Sequence, residues 1–102
     1  MEATEPFVAL VIYPTTPETQ KRRAETLLRA GAEQLRLLPG FLRAQVLVSE
    51  DGESLVTATW WSDRESFEQF RQSEFGRAAA VLAAEARPKP YWLRLHADVK
   101  AP

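Results

Sequence analysis

The stretch Leu55–Phe70, "LVTATWWSDRESFEQF", contains a strand, its end and the start of a helix. Its two adjacent tryptophans, Trp60 and Trp61, decide how the rest of the chain is read. Successive residues of a strand point to opposite faces of a sheet. One indole therefore faces one way and its neighbour the other. If both are buried, neither face of this sheet is turned fully to water.

Upstream of Leu55 the segments "FLRAQVLVS" and "SLVTATWW" flank "EDGE", in which Asp51-Gly52 signals a tight turn. A two-residue and a four-residue loop give the hairpin the same register. One face carries Leu42, Ala44, Val46, Val48, Leu55, Thr57, Thr59 and Trp61. The other carries Phe41, Arg43, Gln45, Leu47, Val56, Ala58 and Trp60. The first is the more aliphatic and suits helix packing. Downstream, "SDRE" reads as a capping box with Ser62 at the N-cap and Glu65 three residues on. Phe67, Phe70, Ala78 and Val81 or Leu82 would form the inner stripe of this helix, with a bend expected at Gly76.

Further out, "PFVALVIYP" is an apolar run bounded by Pro6 and Pro14, and both its faces are apolar, as in a buried strand. Thr16 and Pro17 suit an N-cap and a first helical residue. Ala24, Leu27, Leu28, Gly31, Leu35 and Leu38 then form one stripe of a helix that Pro39-Gly40 stops. After "RPKP" the last strand alternates. Tyr91, Leu93, Leu95 and Ala97 are expected on the core side, and Trp92, Arg94, His96 and Asp98 on the more polar side. The order is β-α-β-β-α-β, an α+β ferredoxin-like antiparallel sheet with two helices on one face. The other face measures roughly 19 Å by 20 Å, or ~400 Å², at the limit of what a monomer leaves bare. The cover expected is the same face of a second copy, making a homodimer through the helix-free side.

At 102 residues the chain is one domain, with a core spanning about residues 5–98. A formal charge of −1 gives no broad basic field for nucleic acid or anionic lipid. Lys21-Arg22-Arg23 lies among acidic and polar residues and reads as a solvated helix face. No cysteine is present, which removes disulfides, thiolate metal sites and cysteine nucleophiles and is compatible with a reducing, cytoplasmic setting. The acidic N-terminus and short first apolar run argue against a signal peptide. No segment reaches the length of a membrane span.

"LPGFLRAQVLVSEDGESLVTATWWSDRESFEQFRQSEFGRAA" resembles the antibiotic biosynthesis monooxygenase family. The resemblance lies in the Leu-Pro-Gly-Phe entry to the second strand, the turn, a strand ending in Trp, and then a Ser-capped helix. It implies a dimeric α+β barrel with a pocket in each subunit between sheet and helices. The cofactor-free members that oxidise aromatic polyketides have a pocket Trp where this chain has Trp61. Their Asn, Tyr and Arg positions correspond here to Thr57, Phe67 and Val81, so only the indole is kept. Thr57 still offers a hydroxyl. The haem-degrading branch requires a helix His, a Trp before it and an Asn in the first strand. The matching positions here are Ala79, Phe70 and Ala9 or Leu10, which leaves iron no ligand there.

Trp61, Thr57, Phe67, Phe70 and Tyr13 are the pocket candidates. Together with Phe75 and Tyr91 the aromatic members form either a packed core or a flat slot for a planar aromatic or quinone. His96 is the chain's one histidine, the side-chain type that most often serves as a general base. With Arg94 and Arg43 it is a weaker polar candidate for a base and its oxyanion partners, or simply a solvated histidine. One His with scattered carboxylates does not make a metal site. No glycine-rich phosphate loop or nucleophile elbow is present, and no cofactor is expected. The resemblance thus implies a monooxygenase of a small electron-rich aromatic or quinol. The alternative is a non-catalytic ligand-binding or dimerisation module on the same scaffold.

Overall fold

The computed structural model describes residues 6–102; the side chains of Ala30, Phe75, Leu82 and Ala83 lie outside the described set. The elements are β1 (Phe7–Pro14), α1 (Gln20–Leu35), β2 (Phe41–Val48), β3 (Ser54–Trp61), α2 (Arg64–Gln72), α3 (Glu74–Ala84) and β4 (Lys89–Arg94). The four strands form one antiparallel sheet in the order β2-β3-β1-β4. This is the expected ferredoxin-like arrangement, with the helices on one face.

The hairpin closes through the four-residue loop, with Ser49 N donating to the Ser54 carbonyl at 3.1 Å. Gly52 sits at φ +78°, a conformation that disfavours any side chain. Asp51 locks the loop by accepting from Ser49 Oγ (2.6 Å) and Glu53 N (2.9 Å). These bonds favour its carboxylate and hold its pKa below the usual Asp value. Gln20, at the start of α1, ties the helix to the hairpin. Its Nε2 donates to the carbonyls of Ser49 (3.0 Å) and Ser54 (2.8 Å).

Local details correct the sequence reading. A bulge at the start of β2 shifts the register, so that Phe41 rather than Leu42 lies opposite Trp61. Phe41 therefore joins the helix side, and its ring meets Trp61 edge-on at 5.5 Å. The cause lies in "LPGF". Gly40 adopts φ +78°, and its carbonyl accepts from Ser62 N at 2.8 Å. The extra residue is absorbed where this bond anchors the strand lead-in to the helix start. At Gly40 an added Cβ would overlap the Ser66 side chain. Gly40→Ala is thus expected to lower the thermal midpoint through both backbone strain and this clash. Loss should exceed the ~1 kcal/mol typical of a strained Gly→Ala site, as read by urea unfolding; an unchanged midpoint would count against this role for Gly40.

The helix starts also shift. Thr16 Oγ1 accepts from Thr19 N (3.3 Å) and its carbonyl from Gln20 N (2.9 Å). Thr16 thus makes a capping bond for a turn that precedes α1, and the regular helix begins only at Gln20. At α2 the N-cap is Asp63, not Ser62. Asp63 Oδ1 accepts from Ser66 N at 2.8 Å, and this bond holds the carboxyl below the usual Asp pKa. The expected long second helix is broken at Ser73 rather than bent at Gly76. Ser73 Oγ donates to the Phe70 carbonyl (2.6 Å) and accepts from Gly76 N (3.0 Å), so one serine closes α2 and opens α3. Gly76 matters for a different reason: a Cβ there would fall on the Phe70 carbonyl oxygen.

The last strand is turned over relative to expectation. Pairing β4 with β1 sets Trp92 opposite Ala9 and Arg94 opposite Phe7, on the helix side. Tyr91 and Leu93 lie on the helix-free face. Leu95 and Ala97 fall beyond the paired strand, so within Lys89–Arg94 Tyr91 and Leu93 compete only with Trp92 for the core side. The contact of the Trp92 ring with Phe67, at 5.0 Å between centroids, goes with the observed phase, although Trp92 stays partly open to solvent.

Candidate functional site

The core on the helix side is built around Trp61, which is 0% exposed at the end of β3. Strand alternation points its ring under α2. Phe70 stacks on it at 5.2 Å with 24° between planes, and Phe67 meets it edge-on at 5.9 Å. Phe67 and Phe70 reach the same ring because they lie three residues apart on one helix face. Phe7 closes the cluster against Phe67 at 5.0 Å. The indole N–H donates to Thr59 Oγ1 at 2.9 Å, so its polar atom is satisfied within its own strand.

Tyr13 and Thr57 sit further along the same face, on the adjoining strands β1 and β3. Tyr13 is buried and Thr57 half-buried. Burial raises the Tyr13 phenol pKa above its usual value, and the neighbouring Thr57 hydroxyl offsets part of that rise. This direction disfavours the phenolate and a role as a base. No charged or polar side chain is buried among the described residues. The expected pocket region is thus a packed aromatic cluster of Trp61, Phe67 and Phe70, with the Tyr13 and Thr57 hydroxyls further along the same sheet face.

The structure separates the weaker polar candidates from this region. Arg43 lies on the helix-free face, its guanidinium carbon 4.1 Å from the centre of the Trp60 ring. His96 lies beyond the end of β4 and is exposed. Arg94 is on the helix side but at the sheet end, in an open groove with Arg64 and Trp92. The three residues are not brought together as a base and oxyanion partners. Val81 is exposed on α3, and Tyr91 is on the opposite face from Trp61. Among the described residues no group of three His, Cys, Asp or Glu could hold a metal, and no helix is long and apolar enough to cross a membrane.

Sequence reasoning missed the cationic and aromatic group of Arg64, Arg71 and Trp92. Arg71 lies 5.3 Å from the Trp92 ring centre and 5.8 Å from that of Phe67. The available signal was the spacing of Arg64 and Arg71, seven residues apart and so on one face of α2. It could be read only once Trp92 was placed on the same side.

Comparison with known proteins agrees with this architecture. The chain is 27% identical over 89 residues to the tetracenomycin-F1 monooxygenase of Streptomyces glaucescens, covering 82% of this chain and 76% of that protein. Among solved structures it resembles the monooxygenase ActVA-Orf6 of Streptomyces coelicolor in complex with nanaomycin D. That match has 26% identity and a TM-score of 0.74, and covers 99% of this chain and 96% of the other. The cofactor-independent oxygenase SnoaB of Streptomyces nogalater shares the fold, at 19% identity and a TM-score of 0.73, over 98% of this chain and 99% of that one. The profile of the antibiotic biosynthesis monooxygenase family matches residues 7–86, and the chain belongs to that family.

Proposed function

We propose that this protein is a homodimeric, cofactor-independent monooxygenase of a small electron-rich aromatic or quinol. The observation that carries the reading is near-full-length similarity, above 25% identity, to two monooxygenases, one of them bound to nanaomycin D. The aromatic cleft supports it. A planar substrate would lie against the Trp61–Phe67–Phe70 group, with Thr57 and Tyr13 hydrogen-bonding its oxygens. The cleft contains no buried carboxylate or histidine. The substrate's own acidity would therefore supply the carbanion, its proton passing to solvent before the ring is enclosed. The carbanion reduces O₂. One oxygen atom bonds to the carbon, and the other leaves as water when the carbonyl forms, so no external reductant is consumed. The protein contributes orientation and exclusion of water.

In the structure Phe70 occupies the face of Trp61 on which a planar ligand would stack. On this reading the ligand displaces Phe70, and the helix break at Ser73 lies three residues from it. Purified protein with a panel of hydroxynaphthoquinol-type substrates is expected to take up O₂ faster than buffer, one O₂ per quinone formed. Uptake indistinguishable from buffer across the panel would reject the activity.

The complete enclosure of Trp61 favours a second reading, a non-catalytic binding or dimerisation module. Saturable quenching of tryptophan fluorescence by the same compounds, without O₂ uptake, would identify a binding module. Phe70→Ala should increase the affinity for planar aromatics on either ligand-binding reading. Unchanged affinity in a folded variant would leave the cleft as core alone.

The helix-free face supports the dimer. Leu10, Ile12, Val56 and Trp60 form its half-buried centre, while Leu47, Tyr91 and Leu93 remain 41–51% exposed around it. The chain exposes 7850 Å² in all. A monomer of this mass typically exposes about 5,800 Å². The excess includes the exposed residues 95–102 as well as the apolar residues of this face; a standard interface needs about 800 Å² per partner.

A further inference from the structure

We propose that the open groove where the end of β4 and the start of β1 meet the beginning of α2 binds a planar aromatic carboxylate, at a site distinct from the Trp61 cleft. The groove holds about 550 Å³ and is lined by Pro6, Phe7, Asp63, Arg64, Trp92, Leu93 and Arg94. The proposal does not depend on the monooxygenase reading.

Three features carry it. First, the groove has an aromatic wall that is not spent in the core. Trp92 stays 41% exposed although it faces the helices. Second, the wall is surrounded by guanidinium groups. Arg71 lies 5.3 Å from the Trp92 ring centre, and Arg64 lies 5.7 Å from that of Phe7. Arg94 shares the groove, two residues after Trp92 on the same sheet face.

Third, these cations exceed the local carboxylates. Glu68 serves both Arg64 (3.8 Å) and Arg71 (3.4 Å), and the first of these contacts is long. Asp63 is committed to the Ser66 backbone N–H. No carboxylate among the described residues pairs with Arg94. Among the described residues, three arginines thus face two acids, leaving one positive charge beside an open indole.

A carboxylate between Arg64 and Arg94 would make charge-assisted hydrogen bonds, and guanidinium suits that planar group better than ammonium does. A fused ring attached to it would pack on Trp92 and Phe7. Such a ligand satisfies the unmatched cation and covers the apolar wall together. A simple inorganic anion does only the first, and a neutral arene only the second. Phe67 stands between this groove and the cleft, 5.0 Å from Trp92 and 5.9 Å from Trp61, so the two spaces share a wall but not a ring face.

The test is titration of nitrogen-15-labelled full-length protein with naphthoate and, separately, with uncharged naphthamide. The three tryptophans give three indole N–H signals, assigned by single Trp→Phe variants. The Trp92 signal should shift saturably with naphthoate, and naphthamide should bind about tenfold more weakly, as expected for one charged hydrogen-bonded contact. Arg94→Gln and Arg64→Gln should each weaken naphthoate by about tenfold and leave naphthamide unchanged. Equal affinity for the two compounds, no effect of either arginine change, or a response confined to Trp60 or Trp61 would each overturn the proposal. A Trp61-only response would assign the ligand to the cleft instead.

Discussion

Trp61→Ala is expected to remove a large part of the stability of the fold. The indole is wholly buried, and its neighbours Phe41, Phe67 and Phe70 come from two different elements. Truncation removes the largest buried side chain and leaves a void that rings on a strand and a helix cannot jointly fill. Such Trp or Phe truncations cost about 3–5 kcal/mol. A domain of this size has about 5–15 kcal/mol in total. Trp61→Phe keeps an aromatic ring and should cost much less, while removing the indole donor to Thr59. Urea titration of both variants gives the comparison. A Trp61→Ala protein within 1 kcal/mol of wild type would show that the cluster is not the keystone of the core. The Phe variant also serves the functional question. If it folds and loses O₂ uptake, the indole itself positions the substrate.

The second large effect concerns the proposed dimer. Leu93→Glu should convert a dimer into monomers without unfolding the chain, because Leu93 is half-exposed on the helix-free face. In a two-fold interface each substitution appears twice. Two carboxylates would enter an apolar contact without partners, at several kcal/mol each. The dissociation constant should therefore rise by at least about 100-fold. Sedimentation equilibrium at micromolar concentrations measures it. Wild-type protein sedimenting as a monomer at tens of micromolar, with Trp60 open to a soluble quencher, would remove the dimer from the reading.

Much of the architecture could be read before any coordinates. The strand–turn–strand of Phe41–Trp61, the apolar first strand and the placement of Trp60 and Trp61 on opposite faces all hold in the structure. They were legible because each rests on local chemistry: β-branched runs, Asp-Gly at a left-handed turn, and a side-chain period of two. The packing of the aromatic residues around Trp61 was legible for the same reason, since Phe67 and Phe70 share a helix stripe. The polar members of the candidate site were not. Arg94, His96 and Arg43 share nothing in sequence that tells which side of a sheet each will occupy, and the fold disperses them.

Where two local solutions were nearly equal, the chain left the choice open. Ser62 and Asp63 are both good N-caps, and the bond from Ser62 N to Gly40 draws Ser62 into the strand lead-in, leaving Asp63 to cap. The helix break falls at Ser73 because its hydroxyl satisfies backbone groups on both sides at once. By itself, the sequence determined which residues alternate, where the chain turns and that both sheet faces are apolar, because those properties depend on neighbours along the chain. Only the tertiary structure decided that Trp92 faces the helices and Tyr91 does not, and that Phe41 rather than Leu42 meets Trp61. The phase of an edge strand and the place of a bulge are set by the strand or ring brought against them, and that partner comes from a distant part of the chain.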